Sequence, residues 1–130
     1  MGLEITINTR EKDVYLVFPK GEINTQTYQI LEDQTKDILN KARAIVFEMG
    51  GVSYISSMGL SAIFRIKLAM EERGGTIALV NMQPRVQLVF DTMRILSPQM
   101  FASLTEADDY LDKFLDGVQD GTIKPRDPLE

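Results

Sequence analysis

Hydrophobic and polar positions alternate at the start of the chain. Leu3, Ile5 and Ile7 are set against Glu4, Thr6 and Asn8, and Val14, Leu16 and Phe18 resume the pattern after the polar Glu11-Lys12-Asp13. A period of two marks a half-buried strand, so the pattern predicts two strands joined as a hairpin. Gly21 is expected to break the second strand. Asn24 or Thr25 stands where a helix cap is needed, ahead of an apolar stripe of Tyr28, Leu31, Thr35, Ile38 and Leu39, with Ala42 following. Ala44-Ile45-Val46-Phe47 has no polar face, as expected of a central strand buried on both sides.

Residues 52–59 read as a loop leading into a helix that runs from Ser57 to about Arg73, where Gly74-Gly75 ends it. Projected at about 100° per residue, Gly59, Ala62, Ile63, Ile66, Ala69 and Met70 share the side that faces a sheet. The opposite side carries Leu60, Phe64 and Leu68 as a ridge beside Ser57 and Ser61, bordered by Arg65, Lys67, Glu71 and Glu72. Such a ridge is either a protein docking surface or a seat for a neighbouring helix of the same domain, and spacing favours neither. Thr76-Ile77-Ala78-Leu79-Val80 is a further strand, Pro84 opens a helix carrying Val86, Val89, Phe90 and Met93, and residues 100–104 form a weaker strand. Thr105 with Asp108 starts a last helix bearing Tyr110, Leu111, Phe114 and Leu115. Periodicity then stops, so residues 1–116 are expected to form the domain and residues 117–130 a flexible tail.

Strands alternating with helices after a hairpin imply an α/β fold. The expected form is a mixed, largely parallel sheet of four to five strands preceded by the N-terminal hairpin, with about four helices packed on it. Loops at the carboxyl ends of strands are the favoured places for sites in such folds. Two qualify, one at residues 21–25 and one at 52–59.

Composition narrows the chemistry. The 130 residues contain no cysteine and no histidine, which removes disulfides, thiolate nucleophiles, imidazole bases and the usual zinc sites. A formal charge of −5 disfavours nucleic acid as a partner. No run approaches a membrane span, and MGLEITI lacks the features of a secretory signal, so a cytoplasmic protein without membrane insertion is expected. Gly2 and Thr6 fit a loose acylation pattern, but no basic segment follows to supply a second membrane signal. No phosphate-binding glycine loop is present, and the acidic pairs Glu71-Glu72 and Asp108-Asp109 read as solvated helix faces rather than metal or catalytic groups. The chain is therefore expected to be a binding protein rather than an enzyme, with no cofactor.

Within YISSMGL, residues 54–60, Ser57 falls at the N-cap or in the first turn of the helix. A serine there is either a cap or a phosphorylation site. A phosphate would meet the amides and positive end of the helix, so the domain could hold it while a docked partner could not.

The residues also carry a likeness to a known family. GEINTQT resembles the G-[DE]-[ILV]-D-x-x-[TS] loop of STAS domains. AIVFEMGGVSYISSMGLSAI resembles their apolar strand, V-x-[FY]-[IM]-D-S-[ST]-G-[LM]-G-x-[IL] loop and second helix. NMQPRVQLVFDTMRI is weakly similar to a later segment, and the likeness covers about residues 3–115. Within that family the chain resembles the bacterial anti-sigma factor antagonists. The resemblance implies partner switching: the unphosphorylated protein binds an anti-sigma factor that is also a serine kinase of the histidine-kinase-like ATPase type. Phosphorylation ends that complex, and a serine phosphatase restores it.

Position by position, Ser57 takes the place of the phosphorylated serine, with Ser56 as the alternative acceptor. The implied partner-binding residues are Asn24, Thr25, Ser56, Ser57, Met58, Gly59, Leu60, Ser61 and Phe64. Asn24 and Ser56 stand where the family has aspartate, Met58 replaces a second hydroxyl residue, and Glu48 stands where the central strand usually has aspartate. Loss of the two acidic neighbours alters the charge around the acceptor. A different role within the family, that of an unphosphorylated structural subunit in a signalling scaffold or lipid-transport complex, is the competing expectation. A monomer or weak dimer is expected.

Overall fold

The computed structural model describes residues 2–92, 99–101 and 111. Strands β1 (Leu3–Arg10) and β2 (Val14–Ile23) flank a tight 3-10 turn, and α1 (Tyr28–Leu39) leads into β3 (Ala44–Glu48). The chain continues through β4 (Val52–Ile55), α2 (Ser57–Glu72), β5 (Thr76–Val80), α3 (Pro84–Thr92) and β6 (Gln99–Phe101). The sheet runs in the order β1-β2-β3-β5-β6, and β4 also pairs with β2. Among the described residues only β1 and β2 pair antiparallel, and the other pairings are parallel. The expected hairpin is thus built into the sheet, with β2 in its interior.

Two hydrophobic layers hold the sheet. One face contributes Val17, Ile45, Phe47, Ile77 and Leu79 to a core shared with Leu31 and Ile38 of α1, Ile63, Ile66 and Met70 of α2, and Val86 and Phe90 of α3. The other face packs Val14, Leu16, Ala44, Val46, Ala78 and Val80 with Leu111, which is helical and buried. Burial on both faces explains why residues 44–47 of β3 and 77–80 of β5 are continuous apolar runs. The last helix otherwise lies outside the described residues, as does the expected tail at 117–130.

Several expectations are corrected. Gly21 does not end β2: the strand continues to Ile23 through a bulge, with Gly21 at φ 125°, a conformation that favours glycine. Residues 52–55 are a strand rather than a loop. Glu48 is the reason: its carboxylate accepts from the Gly50 amide at 2.7 Å and from the Asn81 side chain at 2.8 Å, fixing a turn after β3. The chain then re-enters the sheet beside the far half of β2. The last strand begins at Gln99, one residue earlier than its apolar run.

On α2, Leu60 is buried rather than displayed, and Ala69 is only half-buried. Lys67 and Glu71 are not solvated edge residues. They are buried one helical turn apart and paired at 3.0 Å, which is how a helix can sink two charges into its packed side.

Candidate functional site

β2 pairs with β3 along its first half and with β4 along its second, so β2 and β4 end side by side at Ile23 and Ile55. The Ser56 amide extends the ladder by donating to the Ile23 carbonyl at 2.9 Å. The turn at Asn24 and the entry to α2 are thereby held together. This explains how two segments thirty residues apart in sequence form one surface.

The first loop is shaped by its own polar groups. The Asn24 carbonyl oxygen Oδ1 accepts from the amides of Gln26 (2.9 Å) and Thr27 (3.1 Å), the pattern of a capping side chain. The Thr27 hydroxyl donates to the Glu22 carbonyl at 2.6 Å and accepts from the Asn24 amide at 2.9 Å. Of the two candidates for capping, Asn24 makes the bonds and Thr25 is left exposed. Asn24 Nδ2 also donates to the Glu22 carboxylate at 3.3 Å. An aspartate here would set two carboxylates against each other, so the amide suits Glu22.

The two serines have different tasks. Ser56 is the N-cap of α2, its Oγ accepting from the Gly59 amide at 3.1 Å, and it is half-buried. Ser57 is the first helical residue and exposed, and its hydroxyl makes no hydrogen bond among the described residues. Of the two places expected for Ser57, N-cap and first turn, it holds the second, and the cap falls to Ser56.

Gly59 lies where the helix crosses the end of β2. A Cβ added there would come within 2.5 Å of the Ile23 carbonyl oxygen, 2.7 Å of Ile23 Cγ2 and 2.9 Å of Ile55 Cγ1. Glycine is required by close approach, and that approach sets the height of Ser57 above the sheet. Leu60, next along, belongs to the core at 3% exposed and cannot meet a partner. Phe64 and Ser61 are half-buried at the surface of α2, and Met58 is 38% exposed.

Among the described residues, three further large apolar side chains that sequence reasoning missed are exposed. Tyr54 on β4 is 44% exposed, Ile30 on α1 is 38% exposed, and Leu88 is 65% exposed on α3, which packs against β4. Leu88 had a signal, since it falls off the Val86-Phe90 stripe. Tyr54 had none, because β4 itself was not foreseen. The α1 side of the site is braced by Arg65, which pairs with Glu32 at 2.6 Å and lies 5.9 Å over the Tyr28 ring.

Comparison with known proteins relates the chain to a family. A family model described as the STAS domain matches residues 6–107. BtrV of Bordetella bronchiseptica, classed as an anti-sigma factor antagonist, is 28% identical over 89 residues, covering 68% of this chain and 77% of BtrV. A Thermotoga maritima protein classed in the same way superposes with a TM-score of 0.75 at 23% identity, covering 82% of this chain and 92% of that one. SpoIIAA, an anti-sigma factor antagonist, superposes in its unphosphorylated form with a TM-score of 0.67 at 17% identity, covering 84% of this chain and 98% of that one. Its phosphorylated form, from Bacillus, gives a TM-score of 0.67 at 18% identity, covering 83% and 99%. Identities at this level carry the fold, while the family match spans most of the chain: the protein belongs to the STAS domain family.

Proposed function

We propose that the protein is a cytoplasmic, non-enzymatic partner-switching regulator of the anti-sigma factor antagonist type, turned off by phosphorylation of Ser57. The observation that carries the reading is the division of labour at the mouth of α2. Ser56 is held by its capping bond, whereas Ser57 presents an uncommitted hydroxyl to solvent. Support also comes from the likeness to SpoIIAA, whose fold has been solved with and without its phosphate.

The partner is a serine kinase of the histidine-kinase-like ATPase type that doubles as an anti-sigma factor, and a serine phosphatase resets the switch. The kinase rests on Thr25, Met58, Ser61 and Phe64 around Ser57, with Asn24, Ser56 and Gly59 shaping that surface from beneath. Leu60 acts only through the core. Exposed Tyr54 and Met58 supply apolar contact beside the hydroxyl. A phosphate adds a charge of about −1.5 to −2 at this point. The helix terminus stabilises it, so the domain stays folded, but an apolar contact closed over it leaves that charge desolvated and unpaired.

Incubation with the cognate kinase and ATP followed by peptide mass mapping tests the proposal, and phosphate is expected on Ser57 alone. Ser57→Ala keeps partner affinity and Ser57→Asp lowers it by tenfold or more, a loss of about 1.4 kcal/mol. Phosphate on Ser56, or equal affinities for the two variants, refutes the switch.

A further inference from the structure

Among the described residues, strand β1 forms one border of the sheet. Its eight residues, LEITINTR, contain no proline and no bulge, and its charges are confined to Glu4 and Arg10. Prolines, bulges and charges are the devices by which sheet edges avoid pairing with other chains, and β1 has little of them. Ile5 and Ile7 are only half-buried.

Backbone direction along β1 follows from its neighbour. The Gly21 amide donates to the Gly51 carbonyl at 2.9 Å and the Ile23 carbonyl accepts from the Ser56 amide at 2.9 Å, so odd-numbered residues of β2 turn their polar groups toward β3 and β4. Pro19, which has no N–H, falls in this odd set. Even-numbered residues of β2 therefore bond to β1, through the pairs Glu4 with Lys20, Thr6 with Phe18, Asn8 with Leu16, and Arg10 with Val14. Leu3, Ile5, Ile7 and Thr9 point their N–H and C=O groups out of the sheet. Among the described residues, no strand takes them up.

We infer that β1 is a self-complementary edge through which two copies of the chain pair antiparallel, with Ile7 opposite Ile7 at the two-fold axis. In an antiparallel ladder the outward groups of one strand must face outward groups of the other, which restricts the pairing to odd residues opposite odd residues. Centring on Ile7 sets Ile5 opposite Thr9, Thr6 opposite Asn8, and Glu4 opposite Arg10. It is the register that places each copy's Glu4 directly across from the other's Arg10, with opposite charges on the same face of the sheet. It also adds six backbone hydrogen bonds and covers the half-buried Ile5 and Ile7.

A contact between two edge strands is smaller than the roughly 1,200 Å² of a standard stable interface, so the dimer is a transient one. β2 separates this edge from β4 and Ser57, so both switch surfaces stay open in the dimer. A partner that is itself dimeric would then engage two sites at once, raising avidity without a new contact.

Sedimentation equilibrium of the full chain from about 20 to about 500 µM tests the pairing, since an interface this small dissociates within that range. The expected mass rises toward that of two chains. Hydrogen exchange supplies the register: the amides of Ile5, Ile7 and Thr9 gain protection with concentration, whereas those of Glu4, Thr6 and Asn8 are protected throughout. Ile7→Pro removes the two central intermolecular bonds and none within the sheet, and is expected to weaken association roughly thirtyfold. Glu4→Arg, at an exposed position, weakens it by setting like charges across the two strands, the new guanidinium against Arg10 of the other copy, and its unchanged melting temperature shows that the fold is intact. A mass of one chain at the highest concentration, dimers insensitive to both substitutions, or protection of the odd amides already present in the monomer each overturns the inference.

Discussion

Gly59→Ala probes the packing on which the geometry of the site depends. The added methyl would lie 2.5 Å from the Ile23 carbonyl oxygen, which is backbone in an interior strand and cannot swing aside. Ile23 Cγ2 at 2.7 Å and Ile55 Cγ1 at 2.9 Å close the other directions. Relief requires α2 to lift off the ends of β2 and β4. Overpacking of this kind costs about 1–3 kcal/mol or somewhat more. Against it stands the better helix propensity of alanine, about 1 kcal/mol in a helix interior and less in the first turn, where Gly59 sits. The overpacking wins, for a net loss of about 2 kcal/mol and a melting temperature lowered by roughly 8 °C in a domain of this size.

The assay is thermal and urea denaturation followed by circular dichroism, with Gly50→Ala as the control. A Cβ at Gly50 meets only the end of the Glu48 side chain, at 3.1 Å, and that carboxylate can give by a few tenths of an ångström while keeping its bonds to the Gly50 amide and Asn81, so the expected loss there is below about 1 kcal/mol. Lifting α2 also moves Ser57 relative to Asn24 and Tyr54. Phosphorylation of Gly59→Ala well below its melting point should therefore be slower than that of the control. A variant that melts at or above the parent temperature and is modified at the parent rate would show that glycine is not demanded by the strand beneath it.

Two further substitutions separate structure from signalling. Ser56→Ala removes the cap of α2 at a cost of about 1 kcal/mol, Ser56→Asp retains a capping oxygen, and peptide mapping should find phosphate on Ser57 in both; loss of all modification in Ser56→Ala would transfer the acceptor role to Ser56. Lys67→Met strands the buried Glu71 carboxylate and should cost about 3–5 kcal/mol by urea denaturation, while Lys67→Met with Glu71→Leu recovers most of it. Additive losses in the double variant would mean that the two charges do not act as a pair.

Much of the architecture was legible because β1 and α1 follow simple periodicities, because β3 and β5 are short apolar runs, and because Gly74-Gly75 and Pro84 punctuate the chain where the local chemistry says they should. Failures cluster where tertiary contacts override local signals. Gly21 reads as a strand end, but its φ of 125° serves a bulge that the β4 pairing sustains. β4 has two exposed residues in sequence between buried ends, a pattern with neither period, and it exists because Glu48 folds the preceding turn. On α2 charge is not a sign of solvent. Lys67 and Glu71 share a packed side with Leu60, and their mutual neutralisation lets that side be covered. A helical projection sees two charges, but not that they cancel.

The same reasoning applies at the proposed switch, where serine in place of a carboxylate at position 56 leaves geometry alone and alters charge. A carboxylate at position 56 would accept the Gly59 amide as the Ser56 hydroxyl does, so the cap carries over between the two residues. What differs is the field felt by the neighbouring residue. At a separation of about 6 Å and an effective dielectric near 60, each unit of phosphate charge would be repelled by a carboxylate at 56 by on the order of 1 kcal/mol. Serine relieves that repulsion, and Asn24, held by Glu22 and its own turn, relieves another source of it. A phosphate on Ser57 would therefore be more stable in this chain than with aspartate at both positions. Ser56→Asp, which keeps the fold and the acceptor, should shift the kinase and phosphatase balance toward the unmodified form, and a steady-state phosphorylated fraction equal to the parent's would show that these neighbours do not tune the switch.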